Sequence, residues 1–351
     1  MNKVLTWFDD RAGWNRPIRA LLKYPVPEHA HKNPMFAMGS MLMILFLIQA
    51  VTGALMAFYY DPSPEEGGAY QSVDYIQYTL RFGWLVRGVH HWAASLMVVL
   101  IVVHMLRTYL YGAYKKPREL TWIVGVMLFF VVVSFGFTGY LLPWDQKGYW
   151  ATKVGTEIAG SVPMIGESLR SLMRGGEEMG VATLTRFYAV HILVLPGAFL
   201  TLALAHMALM RRNKLAPPLK RKTDEPEKSV AFYPTHLAIE AGIALVMIIG
   251  LIWAANLFPA PLDLRADVTD SSFVPRPDWY FLFYFQLLKY FPGDLEAVAT
   301  VLIPLFFFGS MVLLPFIDRG EERRPWKKPI TSGAFVVYAV GIIILTILGA
   351  R

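Results

Sequence analysis

Apolar residues in this chain gather into seven long runs: Phe36–Tyr60, Val89–Tyr111, Trp122–Leu142, Phe187–Met210, Leu237–Leu257, Leu295–Phe316 and Ile330–Gly349. Each holds about 20 residues with little charge, enough for a helix to cross roughly 30 Å of hydrocarbon. No water reaches backbone N–H and C=O groups at that depth, so each run must satisfy them internally as a helix. The expected fold class is an all-α polytopic membrane protein with seven transmembrane helices. The first run starts only at Phe36 and carries no small-residue cleavage pattern, so it reads as a span and not as a signal peptide. No period of about 20 to 50 residues recurs, which argues against a repeat architecture.

The polar segments divide the chain. Arg211–Pro234 contains Pro217, Pro218, Lys220, Arg221, Lys222 and Pro226 and reads as a linker. It separates a four-helix unit, residues 1–210, from a three-helix unit, residues 235–351. Trp144–Thr185 interleaves charges with Ile158, Val162, Met164, Leu169 and Leu172, predicting short surface helices. Phe258–Asp294 carries the aromatic run Trp279–Phe291, too short to span and broken by Lys289, which predicts an interfacial helix.

A surplus of 33 Lys and Arg over 26 Asp and Glu gives a net charge of +7. With no soluble basic domain to carry it, this charge is a topology signal and nucleic acid is excluded as a partner. The basic residues concentrate before span one and after spans two, four and six, the loops expected in the cytoplasm. The N-terminus is then inside and Arg351 outside. Cysteine is absent, which excludes disulfides, thiolate metal sites and cysteine-linked haem within this chain.

Four histidines inside the apolar runs form two pairs, His90 with His104 and His191 with His206, 14 and 15 positions apart. An ionisable residue inside a span is a functional candidate by default. At about 100° per residue, either interval returns a side chain to within roughly 60° of its starting direction, over roughly 21 Å of helix. Spans two and four run in the same direction, so His90 meets His191 at one level and His104 meets His206 at the other. Two bis-imidazole haem sites, stacked along the membrane normal, follow from this pattern, and such iron passes electrons without binding oxygen. His91 competes with His90, but its interval of 13 to His104 rotates it away. Pro196 lies between His191 and His206, where a bend would absorb the extra residue; an ordinary membrane-helix kink fits equally well.

Gly39 and Gly53 on span one, and Gly125 and Gly139 on span three, repeat the 14-residue interval. Glycine lets a flat macrocycle approach a backbone, although small residues also serve helix packing in membranes. Arg87 and Arg107, near the ends of span two, are candidates for haem propionates or for interfacial snorkelling.

These features, with GWLVRGVHHW (Gly83–Trp92), KKPRELTW (Lys115–Trp122), GYLLPWDQKGYW (Gly139–Trp150), LTRFYAVH (Leu184–His191) and PDWYF (Pro277–Phe281), resemble cytochrome b of the quinol:cytochrome c oxidoreductases. The resemblance covers nearly the whole chain. KKPRELTW and the 15-residue histidine interval are similar to the plastid, cyanobacterial and menaquinol-type branch, often split into two chains near Arg211–Pro234 and fused here. It implies a di-haem subunit with two non-covalent haem b (protohaem IX) groups, in a bacterial cytoplasmic membrane. Some relatives hold a further haem through a first-span cysteine; the matching position is Leu45, so that attachment is expected to be missing.

The resemblance also implies a quinone cycle. Quinol is oxidised near the external face by a pocket including Asp278, Tyr280 and Tyr140, with Asp278 standing where the family usually has glutamate. A carboxylate there can accept a quinol proton; without the resemblance, Asp278 reads as a helix N-cap. FYPTHLAIE (Phe232–Glu240) resembles the start of the fifth span beside the quinone-reducing site, with His236 and Glu240 as proton donors or plain interfacial anchors. One electron would pass to an external Rieske-type iron–sulfur protein and a c-type cytochrome, and the other through both haems to quinone, with proton translocation. The complex is expected to be a homodimer in membrane lipid. A di-haem anchor of another quinone-linked enzyme needs only the first four helices. A transporter with histidine-lined sites is the reading from another class.

Overall fold

The computed structural model describes residues 3–13, 22–219, 228–270, 272–274 and 276–351. The linker residues Lys220, Arg221, Lys222 and Pro226 lie outside the described residues. Seven helices are long and apolar enough to cross a membrane: Met38–Ala57, Gly83–Leu110, Glu119–Tyr140, Val181–Asn213, Phe232–Leu257, Val298–Ile317 and Pro329–Gly349. They correspond one for one to the seven runs, and differ mainly in length. Spans two and four begin six residues earlier than the apolar runs, at Gly83 and Val181.

Span one packs along span two, and span three along span four, with spans two and three in contact at the centre. Between the two levels of histidines, Leu42, Leu45, Phe46, Ala93, Met97, Val98, Ile101, Leu128, Val132, Phe199 and Ala203 form a continuous buried core. Phe46 stacks on Phe199 with ring centroids 4.1 Å apart. Leu45 is fully buried in this core. Span five packs against spans two and one, and span six against span three.

The surface elements match their sequence patterns. Gln146–Gly160 and Gly166–Arg174 are helices between spans three and four. The first is capped by Asp145, whose side chain accepts from the Gly148 N–H, so a buried polar residue closes the helix start. Trp279–Phe281 and Leu282–Leu288 form the short aromatic helix, lying against the end of span seven. Among the described residues the one regular exception to an all-helical chain is an antiparallel pair, Pro25–Pro27 with Ser229–Ala231, which ties the N-terminal segment to the linker.

The basic loops come together at one end. Lys115 and Lys328 both bind Asp318, at 2.6 and 2.8 Å, and Tyr114 donates to the same carboxylate. Arg323 donates to the carbonyls of Tyr111 and Pro217, and Arg118 to those of Lys214 and Leu215. The loops after spans two, four and six are thus one assembly. Burial alone would raise the Asp318 pKa, but hydrogen bonds from Lys115, Lys328 and Tyr114 hold it below the usual carboxylate value.

Candidate functional site

Spans two and four run side by side in the same direction and bring the histidines together as pairs. The ring centroids of His90 and His191 are 6.5 Å apart, and those of His104 and His206 are also 6.5 Å apart. An imidazole nitrogen sits about 1.1 Å from its ring centre and metal–imidazole bonds are about 2.0 Å, so one metal between two imidazoles needs about 6.3 Å. Both pairs have that spacing. Neither pair is a hydrogen-bonded contact between its own two rings, which would require a closer approach. Among the described residues no cluster of three or more His, Asp or Glu offers an alternative metal site.

The unequal intervals, 14 on span two and 15 on span four, are reconciled by a π-helical turn at Val190–Val194 that contains His191. Such a turn accommodates one extra residue without changing the face that follows. Pro196 lies in the next turn and has no N–H to donate, so it tolerates the widened turn ahead of it.

Each of the four glycines faces one histidine. A Cβ added at Gly139 would lie 2.7 Å from Cε1 of His191, at Gly125 3.2 Å from Cε1 of His206, at Gly53 3.3 Å from Cε1 of His90, and at Gly39 3.9 Å from Cε1 of His104. The repeated interval therefore gives clearance to the imidazole rings themselves, which the sequence pattern alone did not reveal. At the level of His90 and His191, Nδ1 of each ring is 2.8 and 3.0 Å from the hydroxyls of Thr52 and Thr138. Nδ1 of His104 and His206 is buried with no hydrogen-bond partner. His91 joins neither pair in a ring contact and lies edge-on to Trp92.

The two arginines differ. Arg87 donates to Gln77 and to the carbonyls of Ala260 and Pro261, which anchors the loop after span five. Arg107 is buried with its guanidinium 3.6 Å above the Phe36 ring, and its Nε has no partner. A buried, unpartnered guanidinium nitrogen at the level of His104 fits an anionic ligand group there.

At the end away from the basic loops, Asp278 accepts from Lys147 at 2.7 Å and from the Tyr280 hydroxyl at 3.4 Å. Asp278 does stand at the N-cap of its helix, but its side chain makes no capping bond. Tyr140 completes the cluster, with Lys147 5.3 Å above its ring and its hydroxyl 3.4 Å from the Arg276 carbonyl. Burial and the Asp278 charge raise the pKa of the Tyr280 phenol, which keeps it protonated. Lys147 was visible in GYLLPWDQKGYW, yet no sequence signal says that it crosses to Asp278.

At the basic end, His236 Nε2 lies 3.4 Å from Glu240, and Ser40 donates to the same carboxylate at 2.6 Å. His31, which the sequence pattern did not single out, places its ring 5.7 Å from that of His236. Both candidate proton donors are thus in one cluster between span five, span one and the N-terminal segment.

Residues 21–214 match the family described as cytochrome b/b6/petB, and residues 266–351 the family described as cytochrome b(C-terminal)/b6/petD. The chain is 46% identical to a cytochrome b6 of Synechococcus elongatus over 219 residues, 62% of this chain and 100% of the relative. It is 37% identical over 350 residues to a cytochrome bc complex cytochrome b subunit of Chlorobaculum thiosulfatiphilum, covering 98% of this chain and 79% of the relative. A solved chain of a hyperthermophilic respiratory Complex III superposes with a TM-score of 0.85 at 28% identity, covering 99% of this chain and 91% of that one.

Proposed function

The chain belongs to the cytochrome b/b6 family, as the cytochrome b of a bc-type complex, and from that premise we propose that it is a di-haem subunit serving a quinone cycle across a bacterial cytoplasmic membrane. Residues 1–210 form the haem-binding unit and residues 235–351 the quinol-site unit, joined by the linker 211–234. The basic end faces the cytoplasm, which places Asp278 outside and His236 inside. The observation that carries this reading is the pair of 6.5 Å histidine gaps, one above the other on the same two helices.

His90 with His191, and His104 with His206, would each hold one non-covalent protohaem, with the four glycines giving the rings room and Arg107 a propionate partner. Bound there, the haems supply one-electron acceptor and donor chemistry at two depths, with no position open to oxygen. The absence of cysteine leaves both groups extractable, and assigns iron–sulfur and c-type centres to partner subunits, a Rieske-type protein and a c-type cytochrome. Each elementary charge moved across 100 mV stores about 2.3 kcal/mol, which is the use of sites at two depths.

Quinol would bind between Tyr140, Tyr280 and the aromatic helix. Asp278 is the group that accepts its proton, with Lys147 paired to its carboxylate at 2.7 Å. At the inner end Glu240 and His236 donate protons to reduced quinone, and Ser40 holds Glu240 in place. The complex would act as a homodimer.

Quinol:cytochrome c reduction by the purified complex tests this reading. Asp278→Asn should keep both haems and slow turnover by about 10²-fold or more, the usual weight of a general base. An unchanged rate would remove Asp278 from the chemistry; no quinol oxidation by the intact complex would overturn the reading itself.

A further inference from the structure

The two histidine pairs share their spacing and differ in what holds them. At the His90 level, the Thr52 hydroxyl donates its own hydrogen to the Ile48 carbonyl at 2.6 Å, and the Thr138 hydroxyl donates to the Ser134 carbonyl at 2.8 Å. With those hydrogens committed, each threonine oxygen can only accept from the imidazole beside it, so Nδ1 of His90 and of His191 carries the proton. Nε2 is then the lone pair left for a metal. At the other level no hydroxyl reaches either ring: Nδ1 of His104 is buried without a partner, and beside His206 stands only the backbone carbonyl of Thr121.

The sequence carries the same asymmetry. Thr52 and Thr138 each precede the glycine that faces their histidine, whereas 14 residues earlier Met38 precedes Gly39 and Val124 precedes Gly125. The outer level is built with Thr-Gly on both helices, and the inner level with an apolar residue before glycine on both.

We propose that Thr52 and Thr138 are positioning residues that lower the potential of the outer site by holding the Nδ1 proton of its two histidines. The inference rests on the di-haem reading above. A hydrogen bond from the distal imidazole nitrogen raises the basicity of the ligating nitrogen. Reduction adds one electron and takes the iron from the ferric to the ferrous state, so a more strongly donating ligand favours the oxidised form and lowers the potential. Two threonine hydroxyls act in this way on the outer pair of histidines and none on the inner pair.

The experiment is a redox titration of both haems in the intact complex, read by visible difference spectra, with Thr138→Val, Thr52→Val, Thr138→Ser and the reciprocal Val124→Thr. Valine matches threonine in shape and removes the hydroxyl, which is both the acceptor for the imidazole and the donor to a carbonyl of its own helix. The valine variants should retain two haems and raise the outer potential, Thr138→Ser should leave it where it is, and Val124→Thr should lower the inner potential. If threonine only orients the ring, haem content changes while the potentials of the bound haems do not. Unshifted potentials in Thr138→Val or Thr52→Val, or in Val124→Thr should the valine variants lose haem, would overturn the proposal while leaving the di-haem reading intact. Failure of that reading looks different, because the unsubstituted complex would then show no pair of b-type components.

Discussion

The first four spans and the last three are equally apolar but are put together in opposite ways. Spans one to four turn histidine, threonine and glycine toward one another and bury a continuous core between Leu45, Met97, Val132 and Phe199. Spans five to seven bury little: Val246, Ile249, Trp253, Leu305, Phe306 and Val337 are all largely exposed, as expected of helices facing lipid. Their chemistry sits at the start of span five, in His236 and Glu240, and in the segments after spans five and six, in Asp278 and Asp318. The same residue type therefore means different things in the two regions. Gly53, Gly125 and Gly139 touch histidine rings, while Gly242, Gly250, Gly309, Gly333 and Gly341 face open space.

The largest way to break this relationship is at the seam. Lys115 and Lys328, with side chains 9% and 8% exposed, share the one carboxylate of Asp318. Asp318→Asn leaves two buried cations without a counter-charge, and should destabilise the complex by about 3–5 kcal/mol. Thermal unfolding in detergent would show it as a lowered midpoint; an unchanged midpoint would mean that the seam rests on apolar packing alone. The pH dependence has a definite sign. Because the folded pKa of Asp318 is depressed, its contribution is complete above the unfolded value of about 3.9 and is lost as pH falls through the folded one. The seam should hold unchanged from neutral pH to about pH 4 and open in stronger acid.

Smaller substitutions sharpen the contrast. Gly139→Ala puts a methyl 2.7 Å from the His191 ring and should cost about 1–3 kcal/mol, seen as weakened outer haem retention. Gly39→Ala meets His104 only at ordinary contact distance and should cost less. Gly250→Ala and Gly341→Ala have nothing within 4 Å, and should stay within about 1 kcal/mol of the parent. Equal effects at Gly139 and Gly250 would erase the distinction between the two regions.

The seven spans, the pairing of His90 with His191 and of His104 with His206, and the short aromatic helix were legible in the sequence because each depends on local pattern or on a helical interval. The extra residue between His191 and His206 was legible too, but its remedy was not: a π-helical turn leaves no mark in composition, whereas Pro196 does. What stayed hidden is non-local. Lys147 reaches Asp278 across 131 positions, and Lys115 reaches Asp318 across 203, so neither pairing has a spacing to read. Thr52 and Thr138 look like ordinary small residues of membrane helices until the rings they touch are placed. His31 lies in a polar segment before the first span and becomes a neighbour of His236 only through the strand pair that joins the N-terminal segment to the linker.

The central claim is that each of the two imidazole gaps holds one iron porphyrin. Pyridine haemochrome quantification combined with a redox-titrated difference spectrum of the purified complex measures it directly. Two extractable protohaems per chain are predicted, with His104→Ala removing the inner component and sparing the outer. A chain without b-type absorption, or a spectrum that His104→Ala leaves untouched, would contradict the account.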